Sequence, residues 1–198
     1  MFTGIIQEIG TVVRAERAKG LVRLTVSAPK IASTVERLES VAVNGVCVSV
    51  VNVRHGTLTF EVIRETQHLT MLGALRAGHR VNLEPSLAVT DRLNGHFVFG
   101  HVDGMGTVLK RRQLAGELVF DIHIAPSLRK FLVPKGPVAV DGVSLTVGRT
   151  PRPSTFTVHL IPETLRQTTL ASRVAGDRVN LELDYLAKLV AQFLRRGG

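Results

Sequence analysis

The one cysteine of this 198-residue chain, Cys47, lies in VAVNGVCVSV (41–50), and Ser144 holds the matching place in VAVDGVSLTV (138–147). A thiol is a weak acid and, once ionised, a nucleophile; a serine hydroxyl needs a base to become one. Against that chemistry stands a plain alternative, since free cysteines are commonly small buried core residues. One cysteine also excludes an internal disulfide and a multi-cysteine metal site. His101 stands between Gly100 and Val102. There an imidazole is either a satisfied structural side chain or a proton carrier near neutral pH. Asp184 opens an apolar-periodic segment, where a carboxylate suits a helix cap. Asn44-Gly45 and Asp141-Gly142 read as turns, because both residue types tolerate positive φ.

The elements that must position these groups come in two copies. GIIQEIGTVV (4–13) matches GHVDGMGTVL (100–109), and RETQHLTMLGALRAGHRVNLE (64–84) matches PETLRQTTLASRVAGDRVNLE (162–182). With VAVNGVCVSV and VAVDGVSLTV, three segments repeat in the same order at offsets of 96 to 98 residues. Two homologous domains follow, 1–95 and 96–184, with a tail at 185–198. Each half alternates apolar and polar residues over short runs, as in GLVRLTVSAP, TLTFEVI and STFTVHLI, which predicts half-buried strands and a small barrel rather than a βαβ sheet. Short helical turns are expected at 28–38 and 125–133, after an Ala-Pro. In the tail, Leu186, Leu189, Val190, Phe193 and Leu194 fall at helical spacing beside Lys188, Arg195 and Arg196. A lone amphipathic helix needs a partner for its apolar face, so association of subunits is expected.

The formal charge of +9 invites a nucleic-acid reading. The basic residues are spread along the chain, however, and no aromatic residues interleave with them as a stacking platform requires. No apolar run reaches the ~20 residues of a membrane-spanning helix. The N-terminus lacks a signal-peptide pattern, so a cytoplasmic setting is expected.

The segments MFTGIIQEIGTV, NGHFVFGHVDGMGTV, VAVDGVSLTV, HLIPETLRQTTL and GDRVNLELD, in this order and spacing, resemble the riboflavin synthase family across essentially the whole chain. The resemblance implies an all-β fold of two tandem six-stranded Greek-key β-barrels plus a C-terminal α-helix. It implies a homotrimer with the helices at its centre, and association with lumazine synthase. It further implies a transferase acting in riboflavin biosynthesis. Two molecules of 6,7-dimethyl-8-ribityllumazine bind per active site, and a four-carbon unit passes from one to the other. The products are riboflavin and 5-amino-6-ribitylaminouracil. No metal and no redox cofactor is implied, nor any nucleic-acid or membrane partner. The site is expected between the first barrel of one subunit and the second barrel of its neighbour.

By the same resemblance, the first pocket is lined by Gly4, Ile5 and Ile6, by Cys47, Val48 and Ser49, and by Glu61, Val62, Ile63, Arg64, Glu65 and Thr66. The second is lined by Gly100 and Val102, by Lys135, by Ser144, Leu145 and Thr146, and by His159, Leu160, Ile161, Pro162, Glu163 and Thr164. Phe2 is expected to pack on a lumazine face or in the core, and Ser40 is a further binding candidate. Ser144, His101, Cys47 and Asp184 are the catalytic candidates, with Ser144 positioning a nucleophilic water and Asp184 orienting Ser144 or the ribityl chain. Phe99, Gln67, His68 and Ser49 depart from the commoner family residues, and none of these changes removes a proposed catalytic group. The competing function is a non-catalytic lumazine- or flavin-binding protein of the same fold.

Overall fold

The structure, a computed structural model, describes residues 1–18, 20–150 and 153–196; the side chains of Arg195 and Arg196, read above as part of the tail's basic face, lie outside it. In the first half, β1 (Glu8–Ala18), β2 (Leu21–Ser27), β3 (Ser40–Val43), β4 (Val46–Arg54), β5 (Thr57–Val62) and β6 (Arg80–Pro85) form a closed antiparallel barrel ordered β1-β2-β5-β4-β3-β6. The second half repeats this with β7 (Gly104–Leu114), β8 (Glu117–His123), β9 (Pro137–Val140), β10 (Val143–Thr146), β11 (Thr155–Leu160) and β12 (Arg178–Leu183). There the gap between β10 and β11 is spanned by Gly148 N–H to Thr157 O and Thr157 N–H to Arg149 O, both 2.8 Å.

Alternation decides which residues fill each barrel. Val22, Leu24 and Val26 of β2 point inward with Phe60 and Leu83; Leu118, Phe120 and Ile122 of β8 do so with Phe156 and Leu181. The Ala-Pro segments start α1 (Pro29–Ala32) and a 3-10 turn at Pro126–Phe131, because proline in a first helical turn sacrifices no internal hydrogen bond. Strand patterning did not predict α2 (Arg64–Leu69) and α3 (Pro162–Gln167). Each leads into a 3-10 turn whose capping residue, Thr70 or Thr168, accepts a hydrogen bond on its hydroxyl from Leu72 or Leu170 N–H.

The two Asx-Gly turns meet back to back, and this contact joins the barrels. In each, positive φ at both residues closes a two-residue hairpin loop. A Cβ on Gly45 would stand 2.6 Å from Gly142 N, so only glycine permits the approach. Asn82 and Asn180, from the duplicated RVNLE, then cross over. Asn82 Nδ2 donates to Asp141 O and its Oδ1 accepts from Thr169 N–H; Asn180 Nδ2 donates to Asn44 O and its Oδ1 accepts from Met71 N–H. Asn82 and Asn180 are buried. The symmetry is broken at one point. Buried Asp141 is paired with Arg173 at 2.7 Å, whereas the first repeat has Leu75 in place of Arg173, and Asn44, the counterpart of Asp141, has no partner for its Nδ2 among the described residues. Burial pushes the Asp141 carboxyl up, and Arg173 and the Asn180 N–H only partly offset this.

The last element, α4 (Tyr185–Arg196), leaves the second barrel beside the Pro126–Phe131 turn. Asp184 Oδ1 accepts from Leu186 N–H, and Lys188 Nζ holds Asp103 at 2.9 Å. Leu186, Val190, Phe193 and Leu194 remain exposed. Among the described residues no helix is long and apolar enough to cross a membrane.

Candidate functional site

In each barrel two neighbouring strands part at the expected ligand position. The β4–β5 ladder runs from Arg54↔Thr57 to Val50↔Phe60 and stops, so Cys47–Ser49 and Glu61–Ile63 diverge. In the second barrel β10 and β11 form no ladder, and Ser144–Thr146 stands apart from His159–Ile161. Between them opens a cavity of about 640 Å³, lined by Lys135, Ser144, Leu145, Thr146, His159, Ile161 and Thr164, and also by Glu117, Pro134, Gly148 and Arg149. This volume is ordinary for a small-molecule site. Parted strands offer backbone donors and acceptors that can read the edge of a flat heterocycle.

The structure corrects one grouping. Gly4–Ile6 and Gly100–Val102 are exchanged between barrels relative to the expectation. Gly4 O accepts from Ser144 N–H at 2.8 Å, and Ile6 packs on the second core. Gly100 O accepts from Cys47 N–H at 2.9 Å, and Val102 is buried in the first core. The reason lies at the domain entrances. Phe2 and Val98 exchange two backbone hydrogen bonds, so the leading segments cross and each passes over the other barrel. Both glycines have positive φ, and a Cβ on Gly4 would stand 2.6 Å from Ser144 Cβ. A Gly4→Ala variant is therefore expected to lose about 1–3 kcal/mol of stability and to distort the Ser144 pocket; urea unfolding and ligand titration check both.

Other expected residues divide by what their side chains reach. Val48, Val62, Leu145 and Leu160 are buried in the barrel cores, so only their backbone is available to a ligand. Phe2 is fully buried with Ala42, Val98 and Ala139, which is the core alternative. Ser49 is exposed within β4, Ile63, Thr146, His159 and Ile161 are exposed at or beside strand ends, Cys47 and Ser144 are half-buried, and Ser40 sits opposite Ser49 on β3. Arg64, Glu65, Pro162 and Glu163 point to solvent, where Glu163 pairs with Arg166 and Gln167. Thr66 and Thr164 are half-buried. Lys135 occupies a positive-φ loop position at the cavity. His101 is exposed, its ring centroid 6.2 Å from that of Phe99.

The histidine joined to Ser144 is His96. Its Nδ1 lies 2.7 Å from Ser144 Oγ. Burial pushes the His96 imidazole below its ordinary value, and the charge of Asp184 opposes this. His96 thus favours the neutral form, able to take a proton. It lies in NGHFVFGHVDG, five residues before His101, and has no counterpart in the first repeat, so duplication does not mark it.

Two buried glutamates hold the crossing segments. Glu84 accepts from Thr3 and Gly4 N–H, and Glu182 from Phe99 and Gly100 N–H, at 2.7 to 2.9 Å. Burial raises both carboxyls, although these N–H groups pull them down. A raised folded value means that the native state holds the proton more tightly than the unfolded chain. Their contribution to stability is full below the ordinary glutamate range of about 4.3 and is lost as pH rises through the raised values. Unfolding midpoints are expected to fall across that window, and less so in Glu182→Gln.

The Lumazine binding domain family matches residues 3–86 and 99–184. The chain is 43% identical to the riboflavin synthase of Mycobacterium bovis over 202 residues, covering all of both chains. It is 40% identical to that of Bacillus subtilis over 197 residues, 99% of this chain and 91% of that protein. In fold it is similar to LumP complexed with riboflavin, with a TM-score of 0.87 and 23% identity over 93% of this chain and all of that one. Two matched repeats, and sequence likeness running from end to end, place this chain in the riboflavin synthase family.

Proposed function

We propose that the protein catalyses the dismutation of two 6,7-dimethyl-8-ribityllumazine molecules to riboflavin and 5-amino-6-ribitylaminouracil. The carrying observation is the pair of parted-strand sites, alike in strand build but differing at Cys47 and Ser144, the second of which opens into the 640 Å³ cavity. Two like pockets suit two copies of one substrate, and the difference lets one act as donor and the other as acceptor of the four carbons.

The chemistry asks for face-to-face placement of two rings, loss of a proton from a 7-methyl group, and attack of a nucleophile on the other lumazine. In this reading the strand edges orient each ring, and Ser144 and Thr146 bind the ribityl chain or a water. His96 accepts the proton that Ser144 or this water gives up, and the Asp184 charge favours the imidazolium that results. Cys47 and Gly100 face the first lumazine, with His101 beside them.

The pockets open outward, and the apolar stripe of α4 is uncovered. Both features support a homotrimer, cytoplasmic in this reading, in which α4 packs at the centre and one subunit's first barrel faces its neighbour's second. Residues 1–95, 96–184 and 185–198 then serve as two pockets and an assembly helix, and association with lumazine synthase belongs to the same reading. Mixing the purified protein with dimethyl-ribityllumazine and following riboflavin absorbance tests the reaction. Stoichiometric binding without turnover would instead favour a non-catalytic lumazine- or flavin-binding protein.

A further inference from the structure

On the outer wall of each barrel lies a smaller cavity, and the two carry opposite charge. In the first barrel it is lined by Glu16, Ala18, Leu21, Arg23 and Glu61, with Arg23 held by Glu61 at 2.6 Å. In the second it measures about 270 Å³ and is lined by Arg112, Leu114, Val119, Arg149, Thr157 and His159. The duplicated strands place Arg112 where the first barrel has Glu16, and His159 where it has Glu61. The place has been kept and its sign reversed.

The second-barrel cavity adjoins the 640 Å³ pocket, for Arg149 and His159 line both. Lys135 lines the larger one. Two acids lie close by: Glu117 is 2.9 Å from His159 Nδ1, and Asp121 is 2.6 Å from Arg112. Among the described residues, neither Arg149 nor Lys135 is in an ion pair. A neutral polyol chain gives such cations nothing to neutralise. A phosphate monoester, carrying about two negative charges near neutral pH, does, and a guanidinium fork matches its oxygens.

We propose that the second pocket accepts a ribityl ligand ending in a phosphate monoester, with the phosphate at the junction of the two cavities between Arg149 and His159 and with Arg112 behind it. This rests on the lumazine- and flavin-binding reading of the pocket. The first barrel presents Glu16 and Glu61 at the matching places, paired with Arg14 and Arg23, and among the described residues its cavity offers the same group no unpaired cation. One phosphorylated ligand therefore binds per chain, and it competes with substrate for the second pocket.

The test is titration of the intact protein with riboflavin and with riboflavin 5′-phosphate, read by flavin fluorescence. At low salt the phosphate ester is expected to bind about tenfold more tightly, to one site per chain, with the preference shrinking as salt is added. Arg149→Gln and Arg112→Gln are each expected to cut the ratio of the two affinities about three- to tenfold, whereas Glu16→Gln leaves that ratio unaltered. A wild-type ratio near one, or a ratio unchanged in both arginine variants, would overturn the inference. Failure of both flavins to bind would overturn the pocket's ligand reading as well, so the two failures are distinguishable.

Discussion

Replacement of His96 by alanine is expected to lower kcat about 10²–10³-fold while riboflavin still binds, the range a positioned proton carrier supplies. The 2.7 Å contact with Ser144 Oγ puts the imidazole within one proton transfer of the hydroxyl at the second pocket. Burial keeps it neutral, so it is a base at rest. Wild-type turnover should therefore fall with acid only below the ordinary histidine midpoint of about 6.5. Asp184 pulls that midpoint up, and Asp184→Asn should move it further down. Ser144→Ala should reproduce the His96 loss, and the double variant should cost little more than either single one, because the two act as a unit. An activity loss confined to KM, or a full additive loss in the double variant, would count against the pair. His101→Ala is the informative contrast, since His101 is exposed and rests on Phe99.

The largest stability effect is expected at the joint between the barrels. Asn180→Leu conserves volume but removes the acceptor of Met71 N–H and the donor to Asn44 O. Each buried group left unpaired costs about 1–3 kcal/mol, so the variant should lose about 2–5 kcal/mol. Such a loss is a large share of the ~5–15 kcal/mol that holds an ordinary domain folded. Asn82→Leu removes the equivalent pair to Thr169 and Asp141 and should behave alike. Urea unfolding followed by far-UV signal measures both; a change under ~1 kcal/mol in either would show that water satisfies the joint instead.

Much of this was legible beforehand because it is written locally or in duplicate. Alternation in TLTFEVI and STFTVHLI marks β5 and β11, and Asn44-Gly45 and Asp141-Gly142 mark the hairpin turns. The helical stripe from Leu186 to Leu194 marks α4. The short α2 and α3 were not legible, since six residues hold too little periodicity to separate a helix from a turn. Nothing in RVNLE sets Asn82 and Asn180 apart, because their partners lie in the other repeat.

The sequence by itself determined that there are two barrels, which residues fill them, and that Cys47 and Ser144 hold equivalent places. Those are properties of alternation and duplication, and both survive in one dimension. Only the tertiary structure decided which leading segment lies against which barrel's parted strands, that His96 rather than His101 meets Ser144, and that the small outer cavities differ in sign. Each of these depends on backbone crossing at Phe2 and Val98 or on strands meeting across a barrel. Contacts between residues tens of positions apart leave no mark on local pattern, and here they are what set the chemistry.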